Sequence, residues 1–180
     1  PITFFLEKNN IDSGICFSGI PGGHEFNSFI LSILQLGGSD LKLDSGIRSM
    51  IADINEKLNF EIFISLDCHI CPDVVQSLNK FAIINDNISC EMIDGGLFPD
   101  KVEERGVQGV PTIFLNGEFL SSGRTNISKI LNKLKEKNSK ISSEEKIHLP
   151  LQDTVIIGGG PAGISSAIYT ARKGLKVTLV

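Results

Sequence analysis

Residues 67–72 read Asp67-Cys68-His69-Ile70-Cys71-Pro72, and what flanks them decides how the two cysteines are presented. Upstream, Phe60-Glu61-Ile62-Phe63-Ile64-Ser65-Leu66 is short, aromatic and β-branched, the composition of a buried strand; downstream, Val74, Val75, Leu78, Phe81 and Ala82 recur at helical spacing. The pair is therefore expected at a strand-to-helix junction, at the N-terminus of the helix. Unpaired N–H groups and the positive end of the helix dipole favour a thiolate there, and the thiolate is the attacking species in disulfide exchange. Cys68, at the mouth of the helix, is the expected nucleophile. Cys71, about one turn along, is placed to resolve a mixed disulfide, and Pro72 in the first turn removes no helical hydrogen bond.

The 180 residues are 41% hydrophobic and 21% charged, globular material sufficient for one or two cores. A net charge of −4 offers no basic surface for phosphate backbones, which argues against a nucleic-acid partner. No apolar run approaches the roughly 18 residues of a membrane span, and no signal-peptide pattern opens the sequence. Four cysteines with a single close pair fit a catalytic dithiol in the reducing cytoplasm better than a secreted disulfide framework. A start at Pro1 and an end at Val180 in an apolar run read as a piece of a longer protein.

Outward from the dithiol, residues 2–6 and 15–18 form an expected hairpin, followed by a helix whose face is Phe26, Phe29, Ile30, Ile33 and Leu34 and which Gly37-Gly38 ends. Asp44 caps a second helix with an inner face of Ile47, Met50, Ile51, Ile54 and Leu58. Past the dithiol helix, Ile88, Cys90 and Met92 alternate with polar residues as a half-buried strand, and Pro99 starts a short helix through Arg105. Residues 106–120 contain a Pro-led strand, an Asn116-Gly117 turn and a second strand, and Ile127, Ile130, Leu131 and Leu134 mark a last helix. From Phe60 the order strand, helix, strand, helix, strand, strand, helix builds a small mixed sheet with helices on both faces. Lys135–Leu149 is charged and linker-like.

After that stretch, Thr154-Val155-Ile156-Ile157 runs into Gly158-Gly159-Gly160-Pro161-Ala162-Gly163, an alanine-rich helix and the strand Lys176–Val180. Gly158, Gly160 and Gly163 have the dinucleotide spacing in the strand–turn–helix context it requires: one glycine for the turn, one for approach of a pyrophosphate, one for close packing. The acidic ribose ligand is expected about 20 residues on, where the sequence stops, so the nucleotide site is incomplete.

With Val110-Pro111-Thr112 opening the later hairpin, residues 60–137 resemble a thioredoxin or glutaredoxin fold, which implies a cis Pro111 facing the dithiol and a backbone edge at Val110 for an extended partner peptide. Gly23-His24-Glu25-Phe26, Cys68-His69-Ile70-Cys71-Pro72-Asp73-Val74-Val75-Gln76, Ile93-Asp94-Gly95-Gly96, Gly109-Val110-Pro111 and the glycine run at 158–163 occur in the order found in the flavoprotein F subunits of alkyl hydroperoxide reductases. That resemblance implies an α/β chain: residues 1–40 as the C-terminal half of a first thioredoxin-like fold without dithiol, 41–137 as a thioredoxin-like fold with the C-x-x-C, 138–151 as linker, and 152–180 as the truncated start of a Rossmann-type FAD-binding domain. It also implies electrons passing from NADH to FAD, to a flavin-side dithiol, to Cys68/Cys71 and on to a peroxiredoxin disulfide, in a homodimer when full length. Turnover with NADH by this stretch alone is not expected.

Rival readings stand beside these. The cysteine pair could be half of a zinc site, but Cys16 and Cys90 lie on strand patterns and make no second C-x-x-C, so no metal is expected. Cys16 and Cys90 read as small buried hydrophobes. His69 either stabilises the Cys68 thiolate or faces solvent. Glu25 is either a carboxylate that tunes Cys68 or, more economically, a first-turn acid complementing its helix dipole. A thioredoxin reductase fused to its own thioredoxin-like domain and serving several clients, or a non-catalytic docking or metal-binding module, are the alternatives.

Overall fold

The computed structural model describes residues 2–141 and 151–180, which form two compact units, Pro1–Asn138 and Ser139–Val180. In the first, β1 (Thr3–Lys8), β2 (Ile11–Ser18), β3 (Leu58–Ile64), β4 (Ile88–Asp94), β5 (Thr112–Leu115) and β6 (Glu118–Ser122) make one sheet in the order β1-β2-β4-β3-β5-β6. β2, β4 and β3 are parallel neighbours, and the β1–β2 and β5–β6 hairpins extend the sheet antiparallel at either edge. Strand alternation divides the core. Phe60, Ile62 and Ile64 of β3 meet Val74, Val75, Leu78 and Phe81 of α3 (Cys71–Ile84) and Ile130, Leu131 and Leu134 of α5 (Ile127–Ile141). Phe63, with Ile93 and Phe114, turns to the other face, where Phe98 and Val102 beside and within α4 (Pro99–Arg105) cover them. The expected mixed sheet with helices on both faces is the one observed.

Three elements differ from the sequence expectation. α2 (Ser45–Ala52) starts where expected, with the Asp44 carboxylate accepting from the Gly46 and Ile47 N–H groups, but it stops at Ala52 and Leu58 opens β3 instead. The cause lies far along the chain: Asn85 Nδ2 donates to the carbonyls of Ile51 and Ile54, both at 2.8 Å, and this turns the backbone out of the helix. α1 (Phe26–Leu36) is helical as expected but buries Ser28 and Ser32, while Phe26, Ile30, Ile33 and Leu34 are exposed. Its inner side lies on a polar strip of α3, where Gln76 Nε2 donates to Ser28 Oγ (3.2 Å) and Asn79 Nδ2 to Ser32 Oγ (2.9 Å). Phe29 still reaches the core edge, stacking edge-on to Phe17 at 5.3 Å. Finally, α5 continues to Ile141, because Lys and Glu are good helix formers; the rest of the expected linker, residues 142–150, lies outside the described residues.

The second unit is a single βαβ: β7 (Thr154–Ile156), α6 (Pro161–Arg172) and β8 (Val177–Leu179), with β7 and β8 parallel in the register Thr154↔Val177. Among the described residues no helix is long and apolar enough to cross a membrane.

Candidate active site

β3 delivers the chain to a turn at 65–70, and α3 begins at Cys71. The Cys68 N–H donates to the Ser65 carbonyl (3.0 Å), and Cys68 and Cys71 are joined as a disulfide with Cα atoms 5.5 Å apart. The two sulfurs have different surroundings. Cys71 is fully buried in the core under α3, whereas Cys68 is half-buried and packs at the edge of the same cluster. Pro72 occupies the first turn and no side chain caps α3, so its leading N–H groups are left to the sulfurs.

A short 3₁₀ turn, Gly23–Glu25, clamps the loop that precedes the dithiol. Gly23 has φ +51°, and a Cβ there would lie 2.7 Å from the Leu66 carbonyl oxygen, so the approach requires glycine. The His24 N–H donates to that same oxygen at 3.2 Å. The exposed His24 ring lies against the exposed His69 ring, centroids 4.3 Å apart.

Glu25 points inward. It has no exposed surface, and neither carboxylate oxygen has a hydrogen-bond partner. Burial pushes its carboxyl up to about 7; the Ser28 hydroxyl alongside, which does not complete a bond to it, offsets this only in part. The dipole reading would leave this side chain solvated, and the fold instead buries it on a turn that packs against α3. No local pattern signals this, because the burial follows from α1 resting on α3 by its serine side.

The Val110–Pro111 peptide is cis and Pro111 is buried, its carbonyl accepting from the Gly123 N–H at 2.8 Å. Val110 packs against the same core cluster as Cys68. The remaining cysteines stand apart from the dithiol: Cys90 is buried, donates to the Leu78 carbonyl at 2.9 Å and has its thiol pushed far up by burial, and burial followed by the Glu91 charge raises Cys16. Among the described residues no three His, Cys, Asp or Glu side chains converge as metal ligands.

In the second unit, Gly158 turns the chain with φ +111°, Gly160 precedes α6 and Pro161 starts it without a capping side chain. A Cβ on Gly163 would collide with the Gly158 carbonyl oxygen. Gly158, Gly160, Pro161 and Ala162 are exposed, which leaves a backbone cradle at a helix N-terminus of the kind that accepts a pyrophosphate.

A disulfide with one buried and one accessible sulfur, at the start of a helix on a mixed sheet, defines a thioredoxin-fold thiol–disulfide oxidoreductase module. A thioredoxin domain profile matches residues 58–136, and an FAD binding domain profile matches 153–180. The alkyl hydroperoxide reductase F subunit of Pseudomonas aeruginosa is 43% identical over 174 residues, 97% of this chain and 33% of that protein. The F subunit of Staphylococcus aureus is 44% identical over 178 residues, 99% of this chain and 34% of that protein. A Bacillus subtilis protein named NADH dehydrogenase is 42% identical over 178 residues, covering 99% and 34%. A solved structure of the Enterococcus faecalis alkyl hydroperoxide reductase flavoprotein, AhpF, superposes with a TM-score of 0.69 at 35% identity, over 73% of this chain and 64% of that one. The chain belongs to the AhpF family of alkyl hydroperoxide reductase flavoproteins and spans about a third of the length of the curated relatives it matches.

Proposed function

We propose that this chain carries electrons from a flavin-side dithiol to the disulfide of a peroxiredoxin, as the N-terminal carrier of an NADH- and FAD-dependent reductase working in the cytoplasm. The observation that supports it most is the asymmetry of the Cys68–Cys71 pair at the head of α3. After reduction, the Cys68 thiolate attacks one sulfur of the partner disulfide, forming a mixed disulfide and releasing the other partner sulfur as a thiolate, which takes up a proton. The Cys71 thiolate then attacks Cys68 Sγ, closes the Cys68–Cys71 disulfide and releases the second partner thiol. Two electrons pass to the partner, and the oxidised chain awaits reduction by the flavin-side dithiol.

Within this reading Pro111 and the Val110 backbone shape the groove for the partner, and Glu25, titrating near 7 beside α3, holds or returns a proton as Cys71 ionises. Residues 1–40 are the C-terminal half of a first thioredoxin-like fold, 41–137 the dithiol fold, 138–151 a linker and 152–180 the start of the FAD domain. Gly158, Gly160, Pro161, Ala162 and Gly163 would hold the FAD pyrophosphate; when bound, the flavin supplies the conversion of hydride into dithiol electrons. NADH as the donor and a homodimer as the assembly rest on the family resemblance.

The test is a trap. With Cys71→Ser the mixed disulfide at Cys68 cannot resolve, and the adduct in an extract of the source cells identifies the client. A single dominant peroxiredoxin is expected. A broad set of adducts would indicate a general thioredoxin-like reductant, and no adduct on a correctly folded chain would contradict exchange altogether.

A further inference from the structure

Beside the dithiol helix lies an open cavity of about 490 Å³, lined on one side by Asp73 and Lys80 of α3 and on the other by Arg124, Thr125 and Lys129 at the start of α5. Three cations face one carboxylate there, in a chain whose net charge is −4. Asp73 does not neutralise the site: its contact with Arg124 is long, 3.8 Å, between side chains 64% and 72% exposed, a geometry that holds neither in place.

Thr125 is a second, independent sign of a ligand. Its side chain is only 6% exposed and lines the cavity, yet its hydroxyl makes no hydrogen bond within the described residues. A hydroxyl sealed from solvent in that state would cost about 1–3 kcal/mol. It is not sealed, because the sealed unpaired side-chain oxygens are those of Glu25, so what accessibility Thr125 keeps it has through the cavity. The first N–H groups of the 15-residue α5, which have no carbonyl partner within the helix, open at the same end.

The cavity flanks the proposed path of a partner. Asp73 is two residues past Cys71, about 3 Å along the helix axis. Arg124 follows Gly123, whose N–H holds the Pro111 carbonyl. We infer that the cavity receives a carboxylate side chain from the segment flanking the partner's disulfide, so that acidic clients are preferred over basic ones; this rests on the exchange reading above. At about 3.3 Å per extended residue, a carboxylate roughly 2–4 residues from the partner cysteine reaches it.

The experiment uses the reduced 180-residue chain and three disulfides: a peptide with glutamates flanking its cystine, the same peptide with lysines, and neutral 4,4′-dithiodipyridine. At low ionic strength the acidic peptide is expected to be reduced about tenfold faster than the basic one, with the ratio falling as salt screens it. In the double variant Arg124→Glu, Lys129→Glu, both at exposed positions, the ratio should collapse towards one or invert. Equal rates for the two peptides in the parent, or a ratio that survives the variant, would overturn the inference. If dithiodipyridine itself fails to oxidise the parent dithiol, the exchange reading falls. The cavity is then judged by fluorescence anisotropy of the acidic peptide with serines for cysteines: weaker binding to the double variant supports the site, and equal affinity removes it.

Discussion

The chain makes the same junction twice, and the two differ in what finishes them. β3 into α3 and β7 into α6 are both strand–turn–helix, both with proline in the first helical turn and no side-chain cap. At the first, Phe60, Ile62 and Ile64 lie under Val74, Val75 and Leu78, and that core buries one sulfur of the pair while leaving the other half-open. At the second, Val155, Ile164 and Ile168 are 56%, 46% and 50% exposed, and the site is made by glycine backbone alone. Local sequence is enough to build the junction. Chemical inequality between two identical side chains needs a core on one side of them.

The largest expected effect breaks the contrast at its support. Phe81→Ala removes a fully buried ring under α3 and should destabilise the first unit by about 3–5 kcal/mol, read as a lower urea midpoint. Ile168→Ala on half-exposed α6 should stay within about 0.5 kcal/mol; comparable losses at both sites would remove the distinction.

Next comes Glu25. Its carboxyl titrates near 7 in the fold against about 4.5 when unfolded, so as pH rises the unfolded chain loses its proton first. The stability owed to the neutral buried acid is whole below about 4.5, declines as pH climbs through 7 and then levels off, a total of up to about 3 kcal/mol. Glu25→Gln should flatten that part of the profile and raise stability at pH 8 relative to the parent. Denaturation curves at pH 5 and pH 8 with unchanged spacing between parent and variant would contradict the buried-acid account.

A smaller effect sharpens the other junction. Gly163→Ala forces α6 away from the Gly158 carbonyl and should cost about 1–3 kcal/mol locally, seen as faster amide exchange in β7 and α6. The dithiol exchange rate should not move.

What the sequence made legible follows the same division. The dithiol strand and helix, the short helix at Pro99, the Asn116-Gly117 turn and the glycine turn at 158–163 were readable because their signals are periodic or local. α1 was legible as a helix but not in orientation: five apolar residues outvote two serines in any periodicity argument, and the serines face α3 because Gln76 and Asn79 are there to bond them. The early end of α2 depends on Asn85, more than thirty residues away, and the burial of Glu25 on the same α1–α3 contact. Neither the His24–His69 stack nor the cation-lined cavity between α3 and α5 has a sequence signature, since each joins segments that only the sheet brings together.

The central claim is that the fold makes Cys68 the reactive sulfur. It is tested most directly by alkylating the reduced chain with iodoacetamide across pH and reading each cysteine separately by peptide mass spectrometry. Cys68 is expected to react with a midpoint clearly below the ~8.5 of a free thiol, and well ahead of Cys71. Two cysteines reacting alike, with midpoints at or above ~8.5, would contradict it.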